Sequence, residues 1–488
     1  MDQLFYRFRK VENLLGPYKE LENQSIFFAS PEDLNDPMEG FSDIYWSGDK
    51  IVWENLFRNY VICLEHIYAQ HCIGGGELSE ITANDILPNL NIDDYPTPMY
   101  KQLVTEIIED FFNDNIRLLI DKIQSRTTYI KQEELHFYLQ SIHYYALLTI
   151  IRKYQSKGLI GFEKEILQDD FYNDSIKRIN DEIIENIENL IKELGEEAVS
   201  HLFGTYLRTN SQMDLLVEYN KIHPNLKNLK NFKFIFYSFT ENYLRRLETL
   251  CCPDWYTACF MTESENSSVW GNYGENHTGV CLIFKPELDG DKYNLPLKSF
   301  TGYTQYKDEK PIPNYDLRRF QLYPIDYESE FLSFNFFTNL GQLNRPTLSK
   351  MWLSNSKGEH SNCATEIRED IEKWRKKYWD NFIKRNTIKS KDWSYENEYR
   401  LILNGNFHDF TDKKLRTLYY DFESLVGLIF GISTKDEDKL KIMNIIEKKC
   451  RESKRSDFNF YQAYYSPRDK CIKHLPLSLL KFKEESTE

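Results

Sequence analysis

The residues best suited to chemistry lie in one stretch, Lys391-Asp392-Trp393-Ser394-Tyr395-Glu396-Asn397-Glu398-Tyr399-Arg400, which runs into Leu401-Ile402-Leu403. The alternation of aromatic and apolar positions predicts a strand with Trp393, Tyr395, Asn397 and Tyr399 on one face. Its other face then carries Ser394, Glu396, Glu398 and Arg400. Two carboxylates and a guanidinium in a row must be paired, solvated or used. Used, they stabilise developing positive charge and move a proton. Unused, they make a salt-bridged or solvent-facing strand.

A second constellation is Ser267-Ser268-Val269-Trp270-Gly271-Asn272-Tyr273-Gly274-Glu275-Asn276-His277-Thr278-Gly279. Trp270, Tyr273 and His277 fall three and four residues apart, so two helical turns would line them on one face. Such a face can stack a planar ring and donate a hydrogen bond to it. The plainer expectation has Trp270 and Tyr273 packing inward and His277 near the helix end. A third segment, Ser30-Pro31-Glu32-Asp33-Leu34-Asn35-Asp36-Pro37, is a tight polar loop. It either closes Asx-type turns or presents Ser30, Asn35 and Asp36 to a ligand.

Other candidates are weaker. Cys251, Cys252, Cys259 and Cys281 match no paired zinc spacing, and neither do Cys63, His66, His71 and Cys72. Gly74-Gly75-Gly76 lacks the Lys-Ser/Thr of a phosphate cradle and reads as a loop. Lys373, Arg375, Lys376, Lys377, Lys384, Arg385, Lys389 and Lys391, interleaved with Trp374, Tyr378 and Trp379, suit an RNA or phosphate surface. A solvated helix face accounts for them too.

The elements that must position these residues divide the 488-residue chain. Residues 1–44 read as a strand over Leu4 to Phe8, a short helical or irregular segment over Val11 to Leu21, a strand over Ser25 to Ser30, and a turn. Residues 45–231 carry spacings of three and four, as in Ile176, Ile179, Ile183, Ile184, Ile187, Leu190, Ile191 and Leu194. From residue 232 strands return at Ala258–Met261, Gly279–Phe284 and Phe300–Tyr306. A helical stretch over Phe331–Arg385 follows, its last part placing Ile367, Ile371, Trp374, Tyr378 and Phe382 on one face. After the 391–403 strand come a buried strand over Leu425–Gly431, a helix over 434–449 and a closing strand near Phe458–Tyr465. The expected architecture is α+β: a mixed or antiparallel sheet core from 1–44 and 232–488, split by a large helical insertion over 45–231.

Composition narrows the classes. With 41% hydrophobic and 28% charged residues, a packed core is feasible and wholesale disorder is not expected. The formal charge of -15 argues against a general nucleic-acid coat. The 33 Tyr and 32 Phe supply stacking surfaces or, more plainly, an aromatic core. Met1 to Lys10 has no apolar signal core, no run approaches the ~18 apolar residues of a membrane span, and the nine cysteines show no framework spacing. A reduced, cytoplasmic protein with no membrane association is expected.

Taken together, these blocks resemble the bacterial domain of unknown function 2971. That family opens on a tyrosine-rich strand, here Leu4 to Phe8, followed by an N-D-P-x-E loop, here Asn35-Asp36-Pro37-Met38-Glu39. Its middle block is similar to Cys259-Phe260-Met261-Thr262-Glu263 with Trp270, Tyr273, His277, Gly279, Val280, Cys281, Leu282 and Phe284, although Met261 stands where the family has serine. Its last block, K-x-x-x-W-x-x-E-x-E-x-R, is matched by Lys389 or Lys391, Trp393, Glu396, Glu398 and Arg400. The helical region is longer than the family implies and suits a partner-docking or sensing role.

The resemblance names no activity. The order of motifs is similar to that of ADP-ribosyltransferases, which present an early His or Arg, a middle Ser or Tyr and a late Glu. That analogy implies NAD as a substrate, in an effector of antiphage defence or toxin-like regulation. Tyr6 and Arg7 would hold the nucleotide, with Arg7 on the pyrophosphate or ribose. Ser30, Asn35 and Asp36 would line it, and Trp270, Tyr273 and His277 would face the nicotinamide. Glu398 would grip the ribose and Glu396 would orient or deprotonate a protein or nucleic-acid acceptor, beside Arg400. The rivals are a metal-dependent nuclease using Glu396, Glu398 and Asp36, and a non-catalytic module that senses a nucleotide or phage component.

Overall fold

The structure is a computed structural model of the chain and describes residues 3–73, 80–161, 176–177, 179–219, 231, 233–305, 310–406 and 408–479. Gly74-Gly75-Gly76 lies outside the described residues. The chain is α+β and divides into two compact units. One comprises Met1–Phe41, Pro253–Phe331 and Ile383–Glu488, the other Ser42–Cys252 and Leu332–Phe382. The second unit thus takes in residues 232–252 and 332–382 besides the segment expected as the helical insertion.

Among the described residues, the main sheet of the first unit has eight strands. These are β1 (Phe5–Arg9), β2 (Trp255–Met261), β3 (Val280–Phe284), β4 (Tyr323–Pro324), β5 (Glu398–Asn404), β6 (Leu425–Phe430), β7 (Asn459–Ser466) and β8 (Cys471–Pro476). They lie in the order β4-β5-β2-β1-β3-β6-β7-β8. Neighbours are antiparallel except β6 and β7, which are parallel and joined through the helix Asp436–Ser453. Every residue of β3 is buried, as a continuous apolar run demands when a sheet is covered on both faces. Phe5, Phe260, Leu282 and Leu401 pack in one core, while Phe8, Met261, Cys281 and Ile283 pack in another.

Register assigns the charged residues to faces. Tyr6 and Glu398 both pair with Met261, and Arg400 pairs with Cys259, so these side chains share one face. Phe5, Phe260 and Tyr399 share the other, where the Phe5 and Tyr399 rings meet at 5.0 Å. Arg7 lies there too, its guanidinium 5.4 Å from the Phe260 ring centroid.

A second sheet in this unit carries Ser25–Phe27, Thr417–Tyr420, Lys292–Thr304 and Glu287–Asp289 in that order. The strand Ile312–Gln321 pairs along Lys292–Thr304 as a long hairpin.

The structure corrects the sequence reading at several elements. The expected 391–403 strand begins only at Glu398. Lys391–Glu396 is a 3-10 helix, and Asn397 follows in the left-handed conformation at φ 44°. Local bonding decides this. Trp393 N–H reaches Ser390 O at 3.0 Å, Asn397 N–H reaches Ser394 O at 3.3 Å, and asparagine tolerates the left-handed region. The helix carrying Trp270 stops at Tyr273, and Glu275, Asn276 and His277 all adopt positive φ, so His277 leaves the helical face. The expected helical stretch at 331–385 also contains a strand, Ser333–Asn335. Cys471–Pro476, not Phe458–Tyr465, is the last strand described.

In the second unit the helices Lys50–Ile73, Pro98–Phe111, Asp114–Gln124, Gln132–Ser156, Ile184–Leu194, Glu196–Tyr219 and Phe239–Cys251 follow the predicted periodicity. Asp43–Trp46 runs between Ser333–Asn335 and Ile130–Lys131 in a small mixed sheet. Trp374, Tyr378 and Phe382 are buried from one face of the helix Ile371–Arg385. None of the described helices is long and apolar enough to cross a membrane. None of the nine cysteines forms a disulfide among the described residues.

Candidate functional site: a sealed carboxylate and cation cluster

The N-D-P-x-E loop begins with a tight turn. Ser30 Oγ donates to Asp33 Oδ2 at 2.9 Å, and the buried Asp36 carboxylate accepts from Met38 N–H at 2.9 Å. Asn35 stays exposed. Gly40 ends the turn at φ +68°, with the Trp255 ring 3.0 Å from where a Cβ would stand. Only glycine takes that conformation at so close an approach without strain. The turn delivers Glu39 to Arg400.

Arg400 uses its whole guanidinium. Nη1 and Nη2 donate to Glu39 Oε2 and Oε1, both at 2.7 Å. Nε and Nη2 donate to Glu398 Oε1 and Oε2 at 2.7 and 3.1 Å, and Nη1 also reaches Asn386 O at 3.0 Å. All five guanidinium hydrogens are thereby engaged, which a fully buried cation requires. Lys389 completes the cluster, its Nζ 2.7 Å from Glu396 Oε2, 3.2 Å from Glu398 Oε2 and 3.6 Å from Glu39 Oε1. It also lies 4.6 Å from the Trp393 ring centroid. None of the five charged side chains is more than 4% exposed.

Three carboxylates face two cations, and the two members of the Glu-x-Glu pair respond oppositely. Burial pushes Glu396 up, with the Glu398 charge adding and Lys389 opposing. Burial also works against ionised Glu398, but Arg400 and Lys389 overcome it and hold that carboxyl down to about 2. Lys389 is disfavoured by burial yet raised overall by Glu398 and Glu396. Tyr273 Oη donates to Glu396 Oε1 at 2.6 Å, and its hydroxyl is pushed up by burial and then by the Glu396 charge. Tyr327 Oη accepts the Glu398 N–H at 3.0 Å. The Cys259 thiol beside Glu398 is raised, first by burial. Divergent proton affinities in adjacent carboxylates are the pattern of an acid and base assignment.

The structure brings together Glu396, Glu398, Arg400 and Tyr273 from the sequence reading. It places the others elsewhere. Tyr6 is half-buried on the Glu398 face, whereas Arg7 lies on the opposite face and donates to Cys259 O and Phe27 O, both at 3.2 Å. Trp270 is fully buried, its Nε1 donating to Ser264 O at 2.7 Å and its ring edge-on to Phe8. His277 Nδ1 is buried with no hydrogen-bond partner among the described residues and makes no hydrogen bond to the cluster. Ser30, Asn35 and Asp36 shape the loop, while Glu39 makes the contact.

The sequence reading reaches neither Glu39, Tyr327 nor Asn386 as a site residue, and it places Lys389 on a basic surface, whereas that side chain is buried in the cluster. Glu39 and Lys389 do carry a signal, since Glu39 ends the N-D-P-x-E motif and Lys389 opens K-x-x-x-W-x-x-E-x-E-x-R. Tyr327 and Asn386 carry none. The Asn386 side chain is fully buried, and neither its Oδ1 nor its Nδ2 has a partner among the described residues.

Among the described residues no three His, Cys, Asp or Glu side chains gather as a metal ligand set. The carboxylates of the nuclease reading are otherwise engaged, Glu396 and Glu398 by Lys389 and Arg400, Asp36 by its own turn.

No curated protein and no solved structure matches the chain. The family described as Protein of unknown function (DUF2971) matches residues 269–401, a span that includes Tyr273, Lys389, Glu396, Glu398 and most of the first unit's charge cluster. Over residues 269–401 the chain is thus similar to DUF2971, as the Trp270 and Glu-x-Glu blocks imply, while the blocks at Leu4–Phe8, Asn35–Glu39 and Cys259–Glu263 lie outside the match.

Proposed function

We propose that the Glu396 centre acts on a nucleotide at a ribosyl bond, with NAD as the substrate, as an NAD-cleaving or ADP-ribosyl-transferring effector of the antiphage or toxin-like kind. The observation that carries this reading is the pair of carboxylates that share Lys389 but whose proton affinities are shifted in opposite directions, Glu396 upward and Glu398 down to about 2. Glycosidic cleavage uses such a pair. In the proposed step the C1′–N bond breaks, its electron pair leaves with nicotinamide, and water or an acceptor attacks C1′. Glu396 takes the proton of that nucleophile, a transfer that its raised proton affinity favours. Tyr273 and Lys389 hold its two oxygens. Glu398, held by Arg400 as well as Lys389, fixes Lys389 in place, while Glu396 must give up its Tyr273 or Lys389 contact to meet the nucleophile. Arg7, on the other face, has no part in the step.

A second reading rests on the same contacts. Every carboxylate oxygen of Glu396 and Glu398 has a partner inside the fold, and both side chains are sealed from solvent. In this reading the cluster locks a binding module in shape and has no part in chemistry.

The test is NAD consumption and label transfer by the purified chain, wild type beside Glu396→Gln, with radiolabelled NAD and cell lysate. Turnover lost in a folded Glu396→Gln protein supports the enzymatic reading. Folded wild type that neither binds nor consumes NAD, with lysate present, rejects it. NAD binding without turnover in either protein favours the binding module.

A further inference from the structure

The strand Ile312–Gln321 is bonded along one side to Lys292–Thr304 and, among the described residues, occupies an edge of the second sheet of its unit. Ten residues is long for an edge, and an unpaired edge displays a row of backbone donors and acceptors that recruits another strand. Seven of the eight residues from Ile312 to Arg319 are exposed, including Leu317 at 56% and Ile312 at 51%. Asp316 and Arg318 are both exposed, and neither forms an ion pair with another described residue.

We infer that this edge pairs with the same edge of a second copy of the chain, antiparallel and centred on Leu317. The argument is one of register. A two-fold axis perpendicular to the sheet keeps each side chain on its own face, so only residues of the same parity can oppose one another. Centred on Leu317, Asp316 opposes the partner's Arg318 and Arg318 opposes the partner's Asp316. Leu317 then meets the partner's Leu317, and Tyr315 lies across from the partner's Arg319.

The nearest alternatives fail on charge. A centre at Asp316 sets that carboxylate against the partner's Asp316, and a centre at Arg318 sets two guanidinium groups together. Like charges directly opposite are destabilising, and opposite charges stabilise. The sequence Asp316-Leu317-Arg318 thus selects one register of self-pairing and opposes its neighbours. Edge charges that guard a strand against aggregation ordinarily repel a second copy. These two complement it.

The test is sedimentation equilibrium or light scattering of the full chain over a range of concentrations, with Asp316→Arg, Arg318→Asp and the double exchange. All three changes are at exposed positions, and circular dichroism confirms that each variant is folded. The expected result is a reversible dimer that each single reversal weakens by about tenfold or more and the double exchange restores. A wild type that stays monomeric throughout overturns the inference. So does a dimer indifferent to the single reversals, a double exchange that fails to restore pairing, or an open-ended polymer.

Discussion

Glu39 and Arg400, 361 positions apart in sequence, meet through two parallel hydrogen bonds of 2.7 Å each. The geometry is that of a bidentate carboxylate–guanidinium pair, the strongest form of the contact. It ties the amino-terminal loop to the strand β5 and makes the N-D-P-x-E and E-x-E-x-R motifs two halves of one structure.

Arg400→Met leaves Glu39 and Glu398 buried with Lys389 as their only cation. Removing one partner from a buried ion pair costs about 3–5 kcal/mol. Urea unfolding should show a loss of that size in the first unit, and an Arg400→Met protein as stable as wild type would mean that the cluster is not closed in solution.

Glycine is required at residue 40, where φ is +68° and the Trp255 ring stands 3.0 Å from the Cβ position. Gly40→Ala should destabilise by about 1–3 kcal/mol, because the new methyl group strains the turn and displaces Glu39. A thermal scan of Gly40→Ala beside Glu39→Gln checks this, and a neutral Gly40→Ala would refute the tight turn.

The two glutamates should leave opposite signatures in the pH dependence of stability. Glu398 is held at about 2 against an ordinary 4.5, so its ionised form stabilises the fold. That contribution is fully present above about pH 4.5 and is lost as pH falls through about 2. Hence the cost of Glu398→Gln should be constant at neutral pH and shrink in acid. Glu396 is raised, so its contribution is present below its ordinary 4.5 and is lost as pH rises through the folded value. The cost of Glu396→Gln should therefore be larger at pH 4 than at pH 8. Chemical denaturation across that range reads both, and parallel curves for the two variants would contradict the assignment.

Tyr273→Phe removes the hydroxyl that donates to Glu396 and keeps the ring. The loss in stability should be about 1–2 kcal/mol, with the Glu396 titration moved further upward because the ionised form loses a donor. Carboxyl NMR of Glu396 in wild type and Tyr273→Phe would show the direction, and a downward move would exclude Tyr273 as its donor.

Much of this was legible in the chain itself. Apolar runs such as Val280–Phe284 and the spacing of isoleucines through Ile184–Leu194 are local patterns, and they became a buried strand and an amphipathic helix because burial acts on the same periodicities. The motif blocks also marked where the charges lie. What pattern could not say was which charges touch. The sequence treats Glu396, Glu398 and Arg400 as neighbours on one strand. In the fold, the 3-10 turn of Lys391–Glu396 and the left-handed Asn397 swing Glu396 to Lys389 and Tyr273, while Arg400 turns to Glu39. Arg7 shows the same limit from the other side. Its place in an early motif suggested a ligand, but the pleat sends it to the opposite face of the sheet from Glu398, where backbone carbonyls take its hydrogens. Local sequence determined the elements and the residue types. Register, pleat and one left-handed residue decided the site, because they fix direction in space, and direction depends on strands that lie hundreds of residues away.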